Sequence, residues 1–164
     1  MDPLIEKVIS KLNKALSTEA LDRTQNGGLP LEKVHLTILG QFSLLADNEL
    51  SNKLTLAATL DFDAIIKGDA IARSLLKLIL ENEQLDYDDL SNEIWMPKET
   101  IFRKLFESEV LLVETSLPIY TLTSKAIKSP QKNRSLIKQS LKIYDQSLRN
   151  LIIHYGGDLK LFES

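Results

Sequence analysis

Residues 54–66 read Leu-Thr-Leu-Ala-Ala-Thr-Leu-Asp-Phe-Asp-Ala-Ile-Ile, and this run predicts a β-strand. Successive side chains of a strand point to opposite faces, so Leu60, Phe62 and Ala64 share one face while Asp61 and Asp63 share the other. A strand divided in this way needs a sheet with one face against a core. It also brings two like charges together at its end, which is destabilising without a cation or a basic partner. Carboxylate oxygens placed like this converge on a hard cation such as Mg²⁺ or Mn²⁺. Taken alone, such a pair is more often an acidic strand end in solvent.

The rest of the chain supplies elements for such a sheet. Leu4, Ile5, Val8, Ile9, Leu12 and Leu16 recur at helical spacing, with Asp2 as N-cap and Pro3 in the first turn, which predicts a helix over 3–16. Asn26-Gly27-Gly28-Leu29-Pro30 is a turn, without the Gly-Lys-Ser/Thr ending of a phosphate loop. Val34–Leu39 is a short β-branched run that predicts a buried strand. Gly40 follows at once, then a helical stretch with Phe42, Leu44, Leu45 and Leu50. Residues 68–85 predict a helix with Ile71, Leu75, Leu76, Leu78, Ile79 and Leu85 inward. Residues 93–97, 100–106 and 110–114 predict a small antiparallel set. From residue 117 the pattern is helical, over about 117–128 and 134–153. The expected fold is α+β: a mixed sheet flanked by helices, in one domain spanning 1–164, with an N-terminal helix and turn (1–30) and a helical C-terminal part (117–164).

Composition narrows the function. The 164 residues carry a net charge of −3, which argues against a broad DNA-binding face. Absence of cysteine excludes disulfides, zinc–thiolate sites and thiol chemistry, and fits a cytoplasmic setting. The N-terminal segment is charged throughout and predicts neither a signal peptide nor a membrane span. His35 and His154 form no metal pattern, and no serine has a visible base partner for a hydrolase triad. Trp95 reads as core or a surface anchor.

The succession of strand, Gly40, helix, strand with Thr59-Leu60-Asp61-Phe62-Asp63, and helix resembles the nucleotidyltransferase fold of the DNA polymerase beta superfamily. It is nearer to the minimal members and the AbiE-type toxin relatives. Leu117-Pro118-Ile119-Tyr120-Thr121-Leu122-Thr123-Ser124-Lys125-Ala126 matches their later turn into a lysine-bearing helix, and Lys128, Lys132 and Arg134 follow as a basic cluster. The resemblance covers roughly residues 34–160. It implies that Asp61 and Asp63 hold Mg²⁺ or Mn²⁺, that Gly40 and Gln41 lie at the nucleotide phosphates, and that Lys125 contributes a positive charge there. A third carboxylate is also implied, and Glu107 and Glu99 are its candidates.

Metal-dependent transfer of a nucleotidyl group from a nucleoside triphosphate is the function implied, with a protein, an RNA or a small molecule as acceptor. The chain departs from the pattern at three places: Gln41 stands where a second glycine or a serine is usual, Ala57 and Ala58 replace an arginine, and Asn133 replaces an acidic residue. The departures at Gln41 and Asn133 support an alternative expectation, a catalytically degenerate relative acting as an interaction module, for example in a toxin–antitoxin pair.

Overall fold

The computed structural model describes residues 1–88 and 93–163. Helix α1 (Pro3–Gln25) starts as its sequence requires, with the Leu4 amide donating to the Asp2 carboxylate at 2.8 Å and Pro3 in the first turn. It continues well past residue 16, where its buried stripe ends. The extension is held from far away in sequence. Arg23 donates twice to Asp69, at 2.7 and 2.9 Å, and Asp69 also accepts from the Glu32 and Ile71 amides. Apolar periodicity carries no trace of such a clamp.

Strand β1 (Val34–Ile38) is followed by two short helices, α2 (Gly40–Leu45) and α3 (Asn48–Ser51), the second capped by Asp47. Strand β2 is Asp61–Lys67, which corrects the strand expected from residue 54. The acidic pair opens this strand instead of ending it. Pairing explains the difference: β1 partners β2 from Ala64 onward, and a three-residue strand β3 (Asp86–Asp88) partners Asp61–Asp63, whereas residues 55–60 lie outside any ladder.

Helix α4 (Ala72–Asn82) is shorter than predicted; Leu78 is 56% exposed, against the expectation, and Leu80 is buried. Residues 93–97 form no strand. The hairpin of β4 (Phe102–Glu107) and β5 (Leu111–Ser116) follows, with a register shift between Lys104 and Phe106. The C-terminal part consists of α5 (Pro118–Lys128), α6 (Arg134–Tyr144), α7 (Gln146–His154) and a 3-10 turn at Leu159–Phe162. The single helix expected over 134–153 is broken at Asp145, where φ is +42°.

The strands form one five-stranded mixed sheet in the order β3-β2-β1-β5-β4. β1 runs antiparallel to β2 and parallel to β5, β2 runs parallel to β3, and β4 runs antiparallel to β5. The chain is therefore α+β, a mixed sheet flanked by helices. On one side Val34, Leu36, Ile38, Phe62, Ala64 and Val113 pack with Ile5, Val8 and Leu12 of α1 and Leu76 and Leu80 of α4. A second cluster joins Leu44 and Leu50 to Leu122, Ile137, Leu148 and Ile152 of the C-terminal helices. Full burial of each such side chain stabilises the fold by about 1.5–3 kcal/mol. The strand directions bring the C-terminal ends of β1 and β5 and the N-terminal ends of β2 and β3 to the same end of the sheet. Among the described residues, no helix is long and apolar enough to cross a membrane.

Candidate functional site

That end of the sheet is organised around Asp63. β1 is continued by Leu39, whose amide donates to the Asp63 carbonyl at 2.9 Å, so the chain turning out of β1 is tied to β2. Gly40 makes the turn with φ +59°, and a Cβ there would overlap the Asp63 carboxylate, with the Asp63 Cγ only 3.0 Å away. Glycine is required twice over, for the left-handed backbone and for the close approach.

Three further charged groups converge on the same carboxylate. Asp61 precedes it on the strand, Asp88 lies beside it on β3, and Lys125 reaches toward it from α5. The Asp63 carboxyl is pushed up to about 6, chiefly by burial, then by its hydrogen bond to Asp88 and by the negative charges of Asp88 and Asp61; Lys125 opposes the shift. Lys125 is itself drawn down by burial, with Lys132 adding to the effect and Asp63 opposing it. Asp63 and Asp88 thus lie within hydrogen-bond reach of each other, and each disfavours the other's charge.

Asp88 was not among the carboxylates expected here, yet its sequence carries a signal. Leu85-Asp86-Tyr87-Asp88 repeats the pattern of Leu60-Asp61-Phe62-Asp63, and the two tetrapeptides pair in parallel and in register, Asp61 beside Asp86 and Asp63 beside Asp88. Three residues are too few for a strand to announce itself by periodicity, and the match is legible only when the two segments are compared.

Helix α5 is joined to the Gly40 turn by buried hydroxyls. Ser43 Oγ donates to the Gly40 carbonyl at 2.7 Å, lies 2.6 Å from Thr121 Oγ1, and Thr121 Oγ1 lies 2.7 Å from Ser116 Oγ. Each hydroxyl has one proton. With that of Ser43 committed to Gly40, Thr121 donates to Ser43 and Ser116 donates to Thr121. The chain has one direction and ends on the turn that touches Asp63.

Gly40, Asp63 and Thr121 line a cleft of about 160 Å³, together with Lys125, Lys128 and Lys132. Ile94 and Met96, from the segment before β4, also line it, as do Ser124, Ser129 and Asn133. Of the residues expected at the site, Gly40, Asp63 and Lys125 come together here and Asp61 is adjacent. Gln41 is not in the cleft lining; its side-chain amide donates to the Ala57 carbonyl at 3.0 Å.

Glu107 is a correction. It accepts from Lys33 and Lys104, at 2.8 and 2.9 Å, beside the N-terminal end of β1. At about 3.3 Å per strand residue it is roughly 20 Å from the Leu39–Asp63 end. These two lysines hold its carboxyl down at about 2. A wider hollow of about 760 Å³ opens there, between Lys33 and the chain from Lys104 to Glu109, but its Glu107 and lysines are already paired. Glu99 is likewise engaged, accepting from the Tyr155 hydroxyl. His35 Nε2 stands 3.6 Å from Glu114, beyond hydrogen-bond reach.

The donor set at Asp61, Asp63 and Asp88 is the hard oxygen type that suits Mg²⁺ or Mn²⁺. Among the described residues, no group of three or more Asp, Glu, His or Cys side chains is already arranged around a metal position. Comparison with protein-family models, with curated proteins and with solved structures returned no match.

Proposed function

We propose that this chain is a nucleotidyltransferase-like protein that transfers a nucleotidyl group from a nucleoside triphosphate to an acceptor. The observation that carries the reading is the surroundings of Asp63: a glycine turn in contact with it, a second carboxylate hydrogen-bonded to it, and Lys125 facing it across the cleft. Asp61, Asp63 and Asp88 would hold Mg²⁺ or Mn²⁺. Such an ion offsets phosphate charge and stabilises the leaving pyrophosphate. Lys125 is half-buried and poorly solvated, so its charge interacts strongly with phosphate oxygens. Gly40 leaves backbone without a side chain between the phosphates and Asp63.

The test is thermal stabilisation by Mg²⁺ together with a nucleoside triphosphate, followed by a search for transfer with labelled nucleotides. The expected result is a rise in Tm that disappears in Asp61→Ala and Asp63→Ala. An undiminished shift in the Asp61→Ala/Asp63→Ala double variant would overturn the metal assignment. One observation supports a second reading: Gln41 replaces the usual small residue and its side chain is committed to Ala57. On that reading the fold serves as an interaction module, nucleotide binds, and no transfer occurs to protein, RNA or small-molecule acceptors.

A further inference from the structure

The segment that precedes β4 contributes to the cleft in an alternating way. Ile94 and Met96 line it, while Trp95 between them packs elsewhere. The Trp95 ring meets Tyr155 edge-on, with centroids 5.3 Å apart, and carries the Lys128 ammonium 5.3 Å from its centre. Its carbonyl accepts from Ser124 Oγ. Four residues on from Trp95, Glu99 accepts from the Tyr155 hydroxyl, and the Thr100 amide donates back to the Pro97 carbonyl at 3.1 Å. The segment is thus moored to α5 and to the residue after α7 by one ring contact, one cation–π contact and two side-chain hydrogen bonds. The backbone between Ile94 and Met96 is thus held before a ligand arrives and has little further freedom to lose.

The cleft therefore has two chemical characters. Asp63 and the lysines present charge beside the polar Ser124, Ser129 and Asn133, of which Ser124 and Asn133 already donate to the Trp95 and Ser129 carbonyls, and Ile94 and Met96 present apolar surface. A ligand that satisfies both is an anion or metal-bound anion joined to a flat apolar body. We propose that Ile94 and Met96 form the seat of the nucleobase, so that this segment reads the face of the ring and takes nucleoside triphosphates without strong preference among bases. The proposal rests on the nucleotide reading of the same cleft. Trp95 is a positioning residue in it: it touches no base and aims its two neighbours. Thioether and aliphatic groups against a ring face contribute by contact area and polarizability, which differ little from base to base.

Calorimetric titration in Mg²⁺ of ATP, GTP, CTP and UTP, and of inorganic tripolyphosphate, tests it. In the unsubstituted protein the four nucleotides bind within about tenfold of one another and more tightly than tripolyphosphate. Met96→Ala and Ile94→Ala each weaken nucleotide binding by about 5–20-fold and leave tripolyphosphate within about twofold, because a contact-area loss is worth on the order of 1–2 kcal/mol. Met96→Leu restores most of the nucleotide affinity, and Lys125→Ala weakens both ligands. Equal loss of both ligands in Met96→Ala, no loss of either, or one base favoured by more than a hundredfold overturns the base seat while leaving phosphate binding in place. If neither nucleotide nor tripolyphosphate binds the unsubstituted protein, the nucleotide reading itself falls and the seat with it.

Discussion

Gly40 packs so closely on Asp63 that a Cβ there would overlap the Asp63 carboxylate, with its Cγ 3.0 Å away, and the glycine lies in the left-handed region at φ +59°. Gly40→Ala puts a methyl group into that carboxylate and strains the backbone as well. The expected result is a loss of about 1–3 kcal/mol of stability. Metal binding should fall with it, because Asp63 has to rotate away. Denaturant unfolding with and without Mn²⁺ measures both effects. An alanine variant of unchanged stability would show that the contact is not maintained in solution.

Asp63 makes stability depend on pH in an uncommon sense for a carboxylate. Its carboxyl rises from an ordinary 3.8 to about 6 in the folded chain through burial and the Asp88 and Asp61 charges, with Lys125 opposing. Between those values the folded state holds more protons than the unfolded one, so this contribution is full below about pH 4 and is lost as pH rises through 6. The site is half-exposed, which reduces the effect to about 1–2 kcal/mol. Metal-free protein unfolded in denaturant at pH 5.5 and 7.5 should be the more stable at 5.5, and Asp63→Asn should remove most of that difference.

Asp88 and Glu107 are expected to behave oppositely. Asp88→Asn removes a donor beside Asp63 and should abolish the shift in Tm caused by Mg²⁺ and nucleoside triphosphate. Glu107→Gln, at the other end of β1 and paired with Lys33 and Lys104, should leave that shift unchanged. A thermal-shift series on the two variants separates them, and loss in Glu107→Gln alone would contradict the site described.

The hydroxyl relay through Ser116, Thr121 and Ser43 should respond to removal of its middle member. Thr121→Val keeps the shape but leaves a buried donor and a buried acceptor unpaired, at an expected cost of about 1–3 kcal/mol. Thr121→Ser retains the relay and loses one methyl, about 1 kcal/mol. Chemical denaturation of the two variants tests the order; equal losses would mean that packing, not the relay, dominates.

Asp69 links the end of α1 to the turn before α4 through Arg23. Its carboxyl is held well below the usual range, first by the Arg23 hydrogen bonds, with the Ile71 and Glu32 amides adding and burial opposing. Asp69→Asn should lower Tm at pH 7, and hydrogen exchange should quicken in the last turns of α1 while its buried stripe from Ile5 to Leu16 stays protected.

The divide between what could be read from the chain and what could not follows the range of the forces. Local rules placed Asp2 and Pro3 at a helix start, Val34–Ile38 in a buried strand, and Phe62 and Ala64 opposite Asp61 and Asp63, because caps and alternation act within a few residues. The helical pattern from residue 117 put Lys125 in a helix for the same reason. Local rules also drew β2 too long, since the run from Leu54 has the right residue types and only the lengths of β1 and β3 limit its pairing. They could not find Asp88, which becomes a neighbour of Asp63 only when β3 aligns with β2, nor dismiss Glu107, whose lysines come from a strand end and from its own hairpin. They could not show Trp95 turned toward Tyr155 with Ile94 and Met96 left facing the cleft. Those relationships depend on register and packing between segments distant in the chain, where a shift of one residue exchanges the two faces of a strand and would leave Asp63 facing the core.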